Sequence, residues 1–323
     1  MAANVNWTAR HGLLTAERYC AASSRSRVTV FELTLCQKRF AHLRRGGSFS
    51  KKQQTRQYST TAADSPISPS SSVSPSEVSH FSRLASSWWD PHGPSRLLHL
   101  MNPLRHDFIK SCLQSSWTEE KDKKYTYLDI GCGGGIFASS AARLPHTSHV
   151  TAIDPTPDVI AVAKSHARCD PALSSTEKLD YRNCVIEDLP APEDDAQKYD
   201  IITVFEVLEH IDSPSSFLST ALQHLKLGGW LIGSTISRHP IAYVTTKLIA
   251  EAPLIGVVPR GTHDWNKYIN PSELSKYFES GQAPGMWGDF VTQGVVYLPA
   301  VGWKVVQGSE DFGNYFFGVQ KVD

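Results

Sequence analysis

Three side chains within five residues, Glu206, Glu209 and His210 in the segment FEVLEH, put two carboxylates beside an imidazole. If the chain turns helical there, they stand at i, i+3 and i+4 and share one face. Such donors suit a divalent cation, Mg²⁺ first, because that ion prefers oxygen; zinc fits worse without thiolates. A cation so held binds both oxygens of a catechol and lowers the phenol pKa, as metals do with bound water. Alternatively His210 is a general base. Spacing leaves both readings open.

The element that must position these groups is the stretch Tyr125 to Ala138, YTYLDIGCGGGIFA. Tyr127-Leu128-Asp129-Ile130 reads as a buried parallel strand, Gly131, Gly133, Gly134 and Gly135 as a turn, and Ile136 to Arg143 as a small-residue helix. An open α/β sheet builds a nucleotide site this way, at its carboxyl edge. Glycine serves the unusual backbone angles and leaves room for a ligand. A dinucleotide fingerprint would need its third glycine where Ile136 stands, and a phosphate-cradling G-x-x-x-x-G-K-[ST] is absent. The pattern D-x-G-x-G-x-G, Asp129 to Gly135, resembles instead the first motif of class I S-adenosylmethionine-dependent methyltransferases. In that family L-E-H after the fourth strand is common without a metal. Asp154 ends the second strand 21 positions after Gly133, where an acid accepts hydrogen bonds from two ribose hydroxyls or caps the next helix. Asp188, after the third strand, is a candidate for the adenine amino group.

The chain of 323 residues balances 32 basic against 32 acidic residues, but unevenly. Residues 1–60 hold eleven Lys or Arg against Glu17 and Glu32, which leaves a charge of about −9 on the remainder. An acidic body argues against nucleic acid as a partner. The six cysteines form no C-x-x-C pair, so neither a disulfide framework nor a zinc-thiolate site is indicated. Residues 1–58 have the Arg- and Ser-rich, acid-poor composition of a mitochondrial transit peptide, with cleavage expected after Tyr58 in RQYS. Residues 59–77 read as a disordered Ser/Pro-rich linker, and 78–323 as the folded domain.

Within that domain Phe81, Leu84 and Trp88 fall at helical spacing, followed by a break at Pro91 to Pro94 and a helix from about Pro103 to Leu113. Trp88 and Trp89 are core or lid aromatics, or contact the substrate. His149–Asp154, Leu179–Ile186, Tyr199–Phe205 and Gly229–Ser234 read as further strands, with helices starting at Pro157 and Pro214, the latter reaching Leu227. Phe290–Tyr297, Trp303–Val306 and Tyr315–Val319 lack long helices between them. The expected fold is α/β: a doubly wound, mostly parallel seven-stranded sheet with an antiparallel C-terminal edge, preceded by N-terminal helices. An apolar insertion, residues 236–270, reads as a lid, a substrate channel, a membrane-facing surface or ordinary core.

The blocks WWDPHGPSRLLHLMNPLRHDFI, LDIGCGGGIFA, VTAIDPTPDVI, FEVLEHIDSP, LKLGGWLIGSTISR and VPRGTHDWNKYINPSEL together resemble the mitochondrial ubiquinone-biosynthesis O-methyltransferase family from about Phe81 onward. That resemblance implies methyl transfer from S-adenosylmethionine to a phenolic hydroxyl of polyprenyl dihydroxybenzoate and of demethylubiquinol. It places cofactor contacts on Arg105, Gly133, Asp154 and Phe205, beside the turn residue Gly131, and divalent metal ligands on Glu206, Glu209 and His210. Phe205 departs from the smaller or more flexible residue expected there, so a backbone contact survives and a side-chain contact does not follow. The resemblance also implies membership of a multi-subunit quinone-biosynthesis complex and peripheral contact with the matrix face of the inner membrane through residues 239–260. Two rivals are a methyltransferase of another small catechol or carboxylate and a non-catalytic cofactor-binding scaffold subunit.

Overall fold

The computed structural model describes residues 71–115, 123–243 and 264–322. The expected leader, most of the linker and most of the expected membrane segment lie outside the described residues. An eight-stranded sheet runs in the order β3-β2-β1-β4-β5-β8-β6-β7. Its strands are β1 Tyr125–Ile130, β2 Thr147–Asp154, β3 Leu179–Asn183, β4 Tyr199–Phe205, β5 Leu225–Ile236, β6 Val291–Leu298, β7 Gly302–Val305 and β8 Asn314–Gln320. β1 to β5 pair in parallel. β8 runs antiparallel to both β5 and β6, and β7 antiparallel to β6. The sheet has eight strands rather than seven, and each answers to an expected segment, β7 to Trp303–Val306. This is the class I methyltransferase sheet.

The helices are α1 Pro75–Leu84, α2 Arg96–Ser115, α3 Ile136–Ala142, α4 Pro157–Arg168, α5 Pro214–Gln223 and α6 Pro271–Glu279, with single turns at Pro171–Ser174 and Pro240–Tyr243. The central strands are apolar without alternation because both faces are covered. Leu128, Ile202 and Leu231 share a register row and pack with Phe217, Leu218 and Leu274. Their neighbours Tyr127, Ile201 and Trp230 point the other way, onto Phe108 and Phe137. Each such buried side chain contributes about 1.5–3 kcal/mol.

β5 begins at Leu225 rather than Gly229, and four further boundaries differ from the sequence expectation, each for a local reason. Pro75 to Glu77, placed in the linker, are the first turn of α1, with Ser74 as its N-cap. α2 begins at Arg96 and carries Pro103 inside it; burial of Met101, Phe108, Ile109 and Cys112 offsets the hydrogen bond lost at the proline. β3 stops at Asn183, and Ile186–Asp188 form a tight turn that buries Ile186. α5 ends at Gln223, before the Gly228-Gly229 pair. Gly228 lies inside β5 with φ 74°, where the register jumps from Tyr199↔Leu225 to Ile201↔Trp230.

β1 lies between β2 and β4, so the chain leaves it in opposite directions on its two sides. That switch point opens a crevice at the carboxyl ends of the strands. Deeper in the sheet, Gly233 of β5 admits no side chain: an added Cβ would stand 2.6 Å from the Val204 carbonyl oxygen and 2.5 Å from the Phe317 ring. Gly233→Ala is expected to cost about 1–3 kcal/mol, lowering Tm by roughly 2–4 °C per kcal/mol in thermal unfolding. An unchanged Tm would contradict this packing.

Candidate functional site

The crevice encloses a cavity of about 770 Å³, within the size range of small-molecule sites. Arg105, Gly131, Gly133, Asp154, Phe205, Glu206, Glu209 and His210 all line it. The side chains singled out along 106 positions of sequence therefore meet in one place.

The floor is the glycine turn. Gly131 and Cys132 donate their N–H groups to the Ile153 carbonyl at 2.9 and 3.0 Å, tying the turn to β2. Gly131, Gly133 and Gly135 have φ of 70°, 52° and 83°, which glycine adopts without strain. The space above Gly133 and Gly134, expected for a ligand, is taken by the chain itself. A Cβ at Gly133 would lie 2.2 Å from the Trp88 ring, and one at Gly134 2.3 Å from it. Trp89 donates its indole N–H to the Gly134 carbonyl at 2.8 Å and stacks on His166 with ring centroids 3.4 Å apart. The tryptophan pair thus covers the turn.

Asp154 holds the same turn from below. Its Oδ2 accepts from the Gly133 N–H at 3.0 Å and its Oδ1 from the Thr156 N–H at 2.8 Å. Asp154 does not cap α4, whose N-cap is Thr156, and each of its carboxylate oxygens keeps a second lone pair for a ligand. Asp188 is exposed and does not line the cavity. The tight turn after β3 faces Glu187 inward in its place.

Five buried side-chain polar atoms without a hydrogen-bond partner line this cavity, one each on Ser72, Trp88, Arg105, Asp129 and Glu187. Buried polar groups are nearly always paired, so such a concentration calls for a ligand. Trp88 Nε1 and Arg105 Nε are donors; Asp129 Oδ2 and Glu187 Oε2 are acceptors. Arg105 is 4% exposed, with its guanidinium carbon 4.8 Å from the centre of the Phe205 ring. The Phe205 side chain therefore supports the arginine through a cation–π contact. Asp129 accepts from the Thr203 hydroxyl through Oδ1 at 2.8 Å. Burial pushes its carboxyl up to about 7, against the pull of Thr203 and Arg105. A guanidinium and an indole N–H beside a carboxylate match the α-carboxylate and α-ammonium of an amino acid, which is one end of S-adenosylmethionine. The sequence marks neither Asp129 nor Glu187 for these roles and offers Trp88 only as a core, lid or substrate-contacting ring; the acid of D-x-G-x-G-x-G is the signal that points to Asp129.

The carboxylate–imidazole trio does not share a helix face. Glu206 has φ 56°, the left-handed region, so the helical turn begins only at Leu208 and ends at His210. Glu206 accepts from the Ser234 hydroxyl at 2.7 Å, Glu209 from the Thr235 hydroxyl at 2.9 Å, and His210 Nδ1 meets Glu77 Oε2 at 3.0 Å. Among the described residues no group of three or more His, Cys, Asp or Glu side chains is placed to hold a metal ion. The donor types suit Mg²⁺; their placement does not. Burial, reinforced by the Glu206 charge, pushes the Glu209 carboxyl up to about 7. Burial opposes protonation of His210, but Glu77, Glu209 and Glu206 outweigh it and leave its pKa above the ordinary value.

A methyltransferase-domain family model matches residues 101–282. The mitochondrial ubiquinone biosynthesis O-methyltransferase of Candida albicans is 40% identical over 289 residues, 78% of this chain and 86% of that protein. The corresponding protein of Schizosaccharomyces pombe is 40% identical over 255 residues, 77% of this chain and 87% of its own. A bacterial ubiquinone biosynthesis O-methyltransferase, from Methylobacterium, is 36% identical over 73% of this chain and 91% of its own.

Asp129 gives this site a proton signature. Its raised pKa leaves it mostly protonated below about pH 7 without ligand, and an ammonium group beside it favours the ionised form. S-adenosylmethionine binding at about pH 6 is therefore expected to release a proton that binding at about pH 8.5 does not. Calorimetry in buffers of different ionisation enthalpy reads this directly. Asp129→Asn should abolish the release; a release that persists in the variant would contradict the assignment.

Proposed function

The chain belongs to the ubiquinone-biosynthesis O-methyltransferase family and is an S-adenosylmethionine-dependent O-methyltransferase; from that premise we propose that it methylates phenolic hydroxyls of polyprenyl dihydroxybenzoate and of demethylubiquinol. One observation carries the reading: a single cavity joins the glycine turn and the largely enclosed His210 to an apolar wall that includes Met101, Tyr297 and Trp303. Ile241 and Phe312 also line it and remain 53% and 45% exposed, which supports an exit there for a tail too long to enclose.

When bound, S-adenosylmethionine supplies a sulfonium methyl open to in-line attack by an oxygen nucleophile. Arg105 and Trp88 anchor the carboxylate end, Asp129 the ammonium, Asp154 the ribose and Glu187 the adenine end. With the three sequence-expected donors directed to separate partners, oxygen activation is assigned to His210. A carboxylate only accepts hydrogen bonds, so the Glu77 contact puts the ring proton on Nδ1 and leaves Nε2 as the acceptor. His210 would accept the phenol proton, leaving the oxygen free to take the methyl group that bound S-adenosylmethionine would supply. Trp88, Phe81 and the apolar wall exclude water from the transfer.

The reading extends to the cell. Residues 1–58 act as a mitochondrial leader, and the folded domain works at the matrix face of the inner membrane in a quinone-biosynthesis assembly. Among the described residues no helix is long and apolar enough to cross a membrane, which is consistent with peripheral attachment through residues 239–260. Deleting that segment should abolish liposome binding and leave cofactor affinity intact; unchanged liposome binding would refute it.

For the chemistry, His210→Ala is expected to lower kcat on a prenylated catechol by about 10²–10⁴-fold, with S-adenosylmethionine affinity preserved. Mass spectrometry of the methylated product measures it. A short soluble catechol should have kcat/KM at least about tenfold lower than its prenylated counterpart, because each buried CH₂ is worth about 0.8 kcal/mol. Equal turnover of the two would favour a soluble substrate.

A further inference from the structure

The hydrogen bond between Glu77 and His210 joins residues 133 positions apart, and a dedicated piece of backbone holds it. Ser74, Pro75 and Glu77 occupy the N-cap, first and third positions of α1, and the Ser74 side chain accepts from the Glu77 N–H. Serine with glutamate three residues on is the spacing of a capping box, in which the glutamate reaches back to the N-cap. Here the Glu77 carboxylate reaches to His210 instead. The residues before the helix are fastened to the same loop: the Asp212 N–H donates to the Ser72 carbonyl at 3.1 Å, and Val73 bridges Ile211. Phe81, one turn further along α1, stands edge-on to the His210 ring with centroids 5.1 Å apart.

Around the imidazole the carboxylates divide their work. Glu206 bonds Ser234 and Glu209 bonds Thr235; Glu77 is the one that meets the ring. Both partners are largely enclosed, with side-chain exposures of 13% for His210 and 23% for Glu77. Enclosure makes the contact directional, since little water competes for either group.

We propose that Glu77 is a positioning residue for methyl transfer: its carboxylate fixes the His210 ring with the proton on Nδ1, so that Nε2 is the nitrogen presented to the substrate hydroxyl. The proposal rests on His210 being the base. It makes the segment Ser72–Glu77, expected from composition to be linker, a working part of the active site.

The test is a double-mutant cycle in the full folded domain. Glu77→Ala should lower kcat by roughly 10- to 10³-fold, a share of what general-base catalysis contributes, with the Kd for S-adenosylmethionine unchanged. Glu77→Gln, which keeps an acceptor oxygen, should recover part of the loss. Glu77→Ala combined with His210→Ala should be no slower than His210→Ala alone, because residues acting as one unit are not additive. In ¹⁵N-histidine spectra His210 should lose its preference for the Nδ1–H tautomer in Glu77→Ala. A wild-type kcat in Glu77→Ala, or losses that multiply in the double variant, would overturn the positioning role. A wild-type rate in His210→Ala would overturn the base assignment and this inference with it.

Discussion

An indole lying directly on the α-carbons of Gly133 and Gly134 is the contact on which the site depends. With 2.2 Å between the Trp88 ring and a Cβ placed at Gly133, no other residue can stand there beneath the ring. The glycines are thus demanded first by the protein's own packing. The same contact leaves the Trp88 N–H buried and unpaired, a cost of about 1–3 kcal/mol that a ligand carboxylate can offset. Cover and recognition are one structural feature. Asp154, beneath the turn, fixes the Gly133 N–H and so stabilises the floor that Trp88 covers.

The loop after β4 follows a different rule. Glu206 in the left-handed region is a costly conformation for a side-chain-bearing residue, and such strain clusters at functional sites. It breaks the helix that the spacing of Glu206, Glu209 and His210 invites and sends the three side chains to β5, β5 and α1. Two carboxylates are drawn into the sheet's hydroxyls, and the imidazole is handed to the N-terminal helix. A trio that looks like a chelating set in one dimension is, in three, two carboxylates held by sheet hydroxyls and an imidazole held by a carboxylate from a distant segment.

Much of this was legible before the fold was known. Parallel strands buried on both faces read as plain apolar runs, so the sheet, the Asp129–Gly135 turn and Asp154 at the end of β2 were placed from pattern alone. What escaped was decided by single turns. Ser74, Pro75 and Glu77 have linker composition and helix-start chemistry at once, and only the docking of α1 on the 207–212 loop selects the second. Whether Glu187 or Asp188 faces inward depends on the tight turn after β3, which carries no sequence signal of its own. Pro103 suggested a helix start; packing of α2 on the sheet carried the helix through it.

The central claim is that one cavity holds an amino-acid zwitterion on Arg105, Trp88 and Asp129 while His210 Nε2 faces the acceptor oxygen. A crystal structure with S-adenosylhomocysteine and a prenylated catechol tests it most directly. The account predicts the ligand carboxylate on the Arg105 guanidinium and Trp88 N–H, the ammonium on Asp129, and the phenolic oxygen within hydrogen-bond distance of His210 Nε2. A catechol bound with His210 turned away from it, or a carboxylate that leaves Arg105 and Trp88 unpaired, would contradict it.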